Sequence, residues 1–231
     1  MKKLGLIGGI SWVSTADYYK FINEGINKEL GGVNFAECII YSFNYDDIKR
    51  NNENNDWEST FNMLSKACQN LKNCGAEAII LCANTMHLIA DRIQESIDLP
   101  LIHIAVETAK EVQKRGVKKV GLLGTKFTME LDFFKDKLTD LDIEVIIPDA
   151  DDRDFIHDTI FDELGKGLFL ETTSERYLSI IEKLIDNGVE GIILGCTEIP
   201  LMIKQEMLKV PVFDTALIHS NAAVAFALDK I

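Results

Sequence analysis

The chain reads as an α/β protein of two similar lobes, each with a central parallel sheet flanked by helices, the two related by a pseudo-two-fold axis. Three observations predict this. Residues 3–9 (K-L-G-L-I-G-G) recur at 119–125 (K-V-G-L-L-G-T), and residues 75–82 (G-A-E-A-I-I-L-C) recur at 188–196 (G-V-E-G-I-I-L-G-C). The offset between matching segments stays near 111–116 residues, since Tyr18-Tyr19-Lys20 answers Phe133-Phe134-Lys135 and Leu99-Pro100-Leu101-Ile102-His103 answers Val210-Pro211-Val212-Phe213-Asp214. A period this long copies a half-domain, whereas solenoids and propellers repeat every ~20–50 residues. Finally, short apolar strands alternate with helical patterns, which implies right-handed β-α-β crossovers and parallel sheets.

In chain order, residues 3–7 form an apolar strand, and Gly8-Gly9 turns into a helix started by Ser11 or Ser14. Tyr18, Tyr19, Phe21, Ile22 and Ile26 give that helix a buried face, and Leu30-Gly31-Gly32 ends it. A strand over 35–43 comes next. The polar stretch 44–56, with four asparagines between Asn51 and Asn55, reads as a loop with helical turns and a candidate lid, or as an ordinary solvated loop. A helix over 57–73, a buried strand over 76–82, a helix over 85–96 and a strand over 99–104 complete the half. The second half repeats the alternation with strands at 119–123, 144–148, 191–195 and 210–213 and helices at 130–141, 174–187 and 216–228. No linker rich in Pro, Gly or Ser separates the halves. The first lobe is expected over 1–113, completed by 211–231, and the second over 114–210.

With 231 residues, 47% of them apolar, the chain is long enough to bury a substantial core. It has no apolar run near the ~18 residues of a membrane span, and its N terminus enters a strand directly, so a cytoplasmic protein is expected. The 24 basic and 37 acidic side chains give a net charge of −13, which repels nucleic acid and anionic membranes. A small anionic molecule is still admissible, because helix N termini offer backbone N–H groups.

The five cysteines, Cys38, Cys68, Cys74, Cys82 and Cys196, are odd in number and irregular in spacing, which argues against a disulfide framework or a zinc cluster. Cys38, Cys68 and Cys74 read as small packing residues. Cys82 and Cys196 each close an apolar strand and are soon followed by a threonine. Ligands in parallel α/β sheets lie beyond the carboxyl ends of the strands, where Gly8-Gly9-Ile10-Ser11, Cys82-Ala83-Asn84-Thr85, Gly124-Thr125 and Cys196-Thr197-Glu198 are placed. Taken singly these are helix caps; taken as a set in both halves they point to a site at the junction of the lobes. A thiol facing a helix N terminus is expected to have a lowered pKa and to act as base or nucleophile.

These segments, Gly8-Gly9-Ile10-Ser11-Trp12, Cys82-Ala83-Asn84-Thr85-Met86-His87, Gly195-Cys196-Thr197-Glu198-Ile199 and Val212-Phe213-Asp214-Thr215, resemble the signatures of the aspartate/glutamate racemase family over essentially the whole chain. The resemblance implies two parallel α/β lobes, often as a homodimer, with an amino-acid substrate in the cleft between them. It implies neither pyridoxal phosphate nor metal. Inverting an α-carbon needs acid/base groups on opposite faces, and Cys82 and Cys196 would be that thiol/thiolate pair. By the same resemblance Gly9, Ser11, Asn84, Thr85, Thr125, Thr128 and Thr197 would bind the substrate's α-carboxylate and amino group. Glu198 would assist at Cys196 or hold the ammonium, or simply start a helix. Lys49, Arg50 and Lys166 lie in the regions from which family members hold an acidic side chain. His87 and Asp214-Thr215 suit packing or capping as well as chemistry. The chain departs from close relatives at Val13, where a Glu is common, so that polar contribution is absent.

The expected activity is therefore cofactor-independent racemisation of aspartate, glutamate or a wider range of amino acids. A decarboxylase or cis-trans isomerase acting on a related dicarboxylate is the alternative within the superfamily, disfavoured by the presence of both cysteines. A non-catalytic small-molecule binding protein is the alternative outside it.

Overall fold

The computed structural model describes residues 1–230 and divides the chain into two units, Met1–Ile104 with the chain from His219 onward, and Ala105–Ile218. The first unit is built from β1 (Leu4–Gly8), α1 (Trp12–Leu30), β2 (Cys38–Ser42), α2 (Tyr45–Glu53), α3 (Trp57–Asn73), β3 (Ala78–Leu81), α4 (Ala90–Ser96) and β4 (Leu101–Ile102). The chain then continues through α5 (Ile104–Lys114), β5 (Lys119–Leu123), α6 (Lys126–Glu130), α7 (Asp132–Thr139), β6 (Glu144–Ile146), α8 (Ala150–Asp162), α9 (Glu171–Asp186), β7 (Gly191–Leu194), α10 (Ile199–Met202), β8 (Val212–Asp214) and α11 (Thr215–Ala227).

Each unit carries a four-stranded parallel sheet, ordered β2-β1-β3-β4 in the first and β6-β5-β7-β8 in the second. The duplication extends to the hydrogen bonds. Glu77 N–H donates to Lys3 O (2.8 Å), and Glu190 N–H to Lys119 O (2.8 Å). Gln94 clamps the approach to β4 by donating to Leu99 O and accepting from Leu101 N–H, and Gln205 does the same with Val210 and Val212.

α1 is capped by Ser11, buries Tyr18, Ile22 and Ile26 at helical spacing, and ends where Gly31 takes φ +69° and its N–H returns to Asn27 O. α3 buries Leu64, Ala67, Cys68 and Leu71 against Ile7, Ile79 and Leu81 of the sheet. In the second unit α9 lays Tyr177, Ile180, Ile181 and Leu184 on Ile192 and Leu194. Each such aliphatic or aromatic side chain contributes roughly 1.5–3 kcal/mol by leaving water. Cys68 is wholly buried and Cys38 half-buried, but Cys74 is exposed at the end of α3, so it is not a packing residue.

The structure corrects several sequence expectations. The 44–56 stretch is largely the helix α2: Asp46 and Asp47 occupy its first turn and both meet Arg50, Ile48 is fully buried, and Asn55 at φ +55° lies just past its end. The helix expected over 85–96 begins instead as a 3-10 turn, Asn84–Ile89. The helix over 130–141 is the shorter α7, and an additional short helix, α6, precedes it across the extended Leu131. α8 was not expected; Asp149 caps it, and half of its buried positions are polar. The strand after Pro211 does not return to the first lobe. Ile192 N–H bonds to Pro211 O and the strand pairs with β7, so only the chain from His219 onward rejoins the first unit.

Candidate active site

In the first unit, Gly9 sits at φ +80°, and a Cβ there would lie 2.2 Å from Phe43 O, so only glycine fits between β1 and β2. Its N–H donates to Thr15 Oγ1 (2.9 Å). Ser11 holds φ 134°, a costly conformation for a side-chain-bearing residue, and its hydroxyl accepts from Ser14 N–H (3.3 Å).

Cys82 lies one residue past β3 and still belongs to the ladder, its N–H donating to Ile7 O (2.9 Å). Ser14, which sequence reasoning did not place in the site, donates its hydroxyl to Cys82 O (2.8 Å). Cys82 is 1% exposed, Asn84 is buried and Thr85 half-buried. Cys82 Sγ has a long contact to Ile80 O (3.9 Å). The expected lowered thiol pKa is not found. The cysteine leads into a 3-10 turn and not an α-helix, and burial pushes the thiol up.

In the second unit the residue in the corresponding ladder position is Gly195, whose N–H donates to Leu123 O (2.6 Å). Cys196 therefore stands one residue farther from its strand than Cys82 does, and the two thiols are not at equivalent positions. Cys196 is half-buried and its Sγ lies 2.9 Å from Glu198 Oε2, which also accepts from Thr197 Oγ1 (2.8 Å). Burial raises this thiol's pKa first, and the negative charge and hydrogen bond of Glu198 add to it. Here too the lowered pKa gives way to a raised one: the thiol is the donor and the carboxylate the acceptor. Thr125 caps α6 and accepts from Thr128 N–H (3.4 Å). Thr128 has no exposed surface and fills the space beside Gly124 and Gly195, where added Cβ atoms would come within 3.1 and 3.0 Å of it.

The ion pairs that Lys49, Arg50 and Lys166 make are local to their own helices and turns. Lys49 meets Glu53 (3.6 Å), Arg50 meets Asp46 and Asp47, and Lys166 meets Asp162 (3.3 Å), each on a largely exposed side chain. Asp214 accepts from Ala216 and Leu217 N–H, the capping arrangement.

The structure also assembles a group that sequence reasoning missed. His87 lies edge-on to both His103 (ring centroids 4.8 Å apart) and His219 (5.4 Å). His219 Nδ1 is 2.8 Å from Tyr18 Oη, and its Nε2 is 2.7 Å from Ile102 O. Three of the chain's four histidines are in this buried group, which is the compositional signal that could have drawn attention to it. Burial lowers His219 to about 4 and His87 well below the usual histidine range. Among the described residues no cluster of three or more His, Cys, Asp or Glu is placed to hold a metal ion, and no helix is long and apolar enough to cross a membrane.

Comparison with known proteins agrees with the fold of two parallel α/β units. The Asp/Glu/hydantoin racemase family description matches residues 7–223. A proposed Asp/Glu racemase of Yersinia pestis is 46% identical with a TM-score of 0.95, over 99% of this chain and 100% of that one. An aspartate racemase homologue of Pyrococcus horikoshii OT3 is 39% identical with a TM-score of 0.88, over 99% and 100%. The broad specificity amino-acid racemase RacX of Bacillus subtilis (strain 168) is 21% identical over 96% of each chain.

Proposed function

This chain belongs to the Asp/Glu/hydantoin racemase family, a family of isomerases, and we propose that it is an amino-acid racemase that uses Cys82 and Cys196 as its two acid/base groups without a cofactor. The observation that carries the reading is the 2.9 Å contact between Cys196 Sγ and Glu198 Oε2, a thiol already hydrogen-bonded to a base. Removal of the Cα proton by one sulfur and return of a proton from the other inverts the centre, and the roles exchange with direction. Before Cys196 can act as base, its proton must pass to Glu198. A bound amino acid brings an ammonium group, and a cation beside a thiol favours the thiolate. The α-carboxylate accumulates charge as the Cα proton leaves, and fixed donors on Ser11, Asn84, Thr85, Thr125 and Thr197 would receive it. Thr128, buried beside Thr125 with its Oγ1 3.4 Å from that of Thr125, would hold that hydroxyl in place.

The substrate in this reading is a small zwitterionic or anionic amino acid: aspartate, glutamate or a wider set. The name of RacX supports the wider set, as does the engagement of Lys49, Arg50 and Lys166 with neighbouring carboxylates. A homodimer in the cytoplasm completes the proposal.

Purified protein is incubated in D₂O with L-aspartate, L-glutamate and a panel of neutral amino acids. The expected result is deuterium at Cα together with the D-isomer for at least one substrate, abolished in Cys82→Ala and in Cys196→Ala. Full turnover by either variant would remove the two-thiol mechanism, and binding without exchange would leave a small-molecule binding protein.

A further inference from the structure

Four hydrogen bonds fix the backbone around Cys82. Its own N–H is held by Ile7 O, its carbonyl by the Ser14 hydroxyl, and the next carbonyl, Ala83 O, by His87 Nδ1 at 3.2 Å and also by Met86 N–H at 3.3 Å. The first is a ladder bond and the second comes from α1. The third comes from an imidazole that is 2% exposed and whose Nε2 is buried with no hydrogen-bond partner.

The proton positions follow from the acceptors. A carbonyl can only accept, so His87 carries its proton on Nδ1 and leaves Nε2 as a bare lone pair. His219 faces Ile102 O with Nε2, so Nε2 is its protonated nitrogen and Nδ1 accepts from the Tyr18 hydroxyl. Burying an acceptor without a donor is unfavourable. A leucine of similar bulk would avoid that cost, and what the imidazole adds at position 87 is the bond to Ala83 O. The ring is held in place by edge contacts with His103, just after β4, and His219, on α11. Ile102 in turn pairs with Ile80 of β3, the strand that ends at the cysteine.

We propose that His87 is a positioning residue for Cys82: its Nδ1–H bond to Ala83 O sets the direction of the Cys82 turn, and His103 with the His219–Tyr18 pair holds the ring that makes the bond. This rests on the reading of Cys82 as an acid/base group, so the test carries one readout that needs turnover and one that does not.

The variants are His87→Asn, whose amide nitrogen occupies the place of Nδ1, His87→Gln, whose amide nitrogen falls near Nε2 instead, and His87→Leu. Near-UV circular dichroism selects the folded ones. Misplacing a reacting group by a fraction of an ångström costs catalysis more than binding, so Leu and Gln should lower kcat by about tenfold with KM within about threefold, while Asn stays within about threefold of wild type. Iodoacetamide labelling, mapped by peptide mass, should show Cys82 reacting about tenfold faster in the Leu and Gln variants, with Cys196 unchanged and Asn close to wild type. A folded Leu or Gln variant with wild-type kcat and wild-type Cys82 labelling overturns the proposal, as does an Asn variant no better than Gln. If Leu does not fold, the Asn and Gln pair decides. Loss of the racemase reading would appear as wild-type protein without Cα exchange, and labelling would still report whether His87 fixes the turn.

Discussion

At the end of β3 the ladder closes on Cys82; at the end of β7 it closes on Gly195, and the cysteine comes one residue later. Around these ends the two units agree closely, in strand order, in register and in the paired clamps of Gln94 and Gln205. The duplicated frame is therefore common, while the thiols differ. Cys82 is enclosed and fixed through its backbone, whereas Cys196 is half-buried and bonded through its sulfur to Glu198. The buried polar groups differ as well. The first unit encloses a histidine cluster; the second encloses the Asp152 carboxylate, paired with Arg176 and with Lys183 (2.7 Å). Copying a half-domain preserved the scaffold, and the chemistry diverged at its strand ends.

The largest effect that would break this comparison is expected at Glu198. A positioned acid/base group is worth about 10²–10⁴-fold, so Glu198→Gln should lower kcat by at least about a hundredfold. The carboxylate raises the Cys196 thiol's pKa, so its removal should also let Cys196 alkylate faster at pH 8 while Cys82 labelling stays constant. Loss of turnover with gain of thiol reactivity would separate the carboxylate's part in proton transfer from its charge effect on the thiol. Equal changes at both cysteines would mean that the two thiols are not independently tuned.

The second prediction uses the buried histidines. A His219 pKa of about 4 in the folded protein, against about 6.5 unfolded, means the unfolded chain takes up the proton first as pH falls. The associated stability is fully present above about pH 6.5 and is lost progressively toward pH 4, on the order of 3 kcal/mol for this residue alone. His87 acts in the same direction. His219→Gln keeps a donor for Ile102 O and removes the titration, so its denaturation midpoint should fall less than wild type between pH 7.5 and pH 5. Parallel curves would sink this account. In the second unit, Asp152→Asn removes a carboxylate from two half-exposed cations that can return to water, and a stability loss of about 1–3 kcal/mol is expected by chemical denaturation at pH 7.5.

Much of the frame was legible because apolar β-strands ending in small residues are a local pattern, and the repeat supplied it twice. The offset of the thiols is hidden in the sequence, although the second motif is one residue longer: G-I-I-L-G-C looks like an imperfect copy of A-I-I-L-C until the ladder bond of Gly195 shows which residue is extra. The histidine cluster draws on α1, the 3-10 turn, the end of β4 and α11, segments up to 201 positions apart, and no local period relates them. α2 was obscured by its asparagines, since its helix rests on one buried isoleucine and on ion pairs along its own face. Position along the strands singles out Cys82 and Cys196, but their environments, which decide thiol acidity, depend on burial and on which carboxylate the chain folds back to meet.

The smallest expected effect tests where the units should agree. Gln94 and Gln205 each make one bond to a carbonyl and one from an N–H at the start of the fourth strand, with distances of 2.8 and 2.7 Å in one unit and 3.1 and 2.9 Å in the other. Both sites are exposed, so removing the side chain lets water take over the freed groups. Gln94→Ala and Gln205→Ala should then each cost about 1 kcal/mol, seen as a melting-temperature drop of roughly 2–4 °C. If the scaffold is shared as the registers indicate, the two losses should match within about 0.5 kcal/mol and add in the double variant, because each clamp serves its own sheet. A clamp that mattered in only one unit would show that the units' stabilities diverged along with their strand ends.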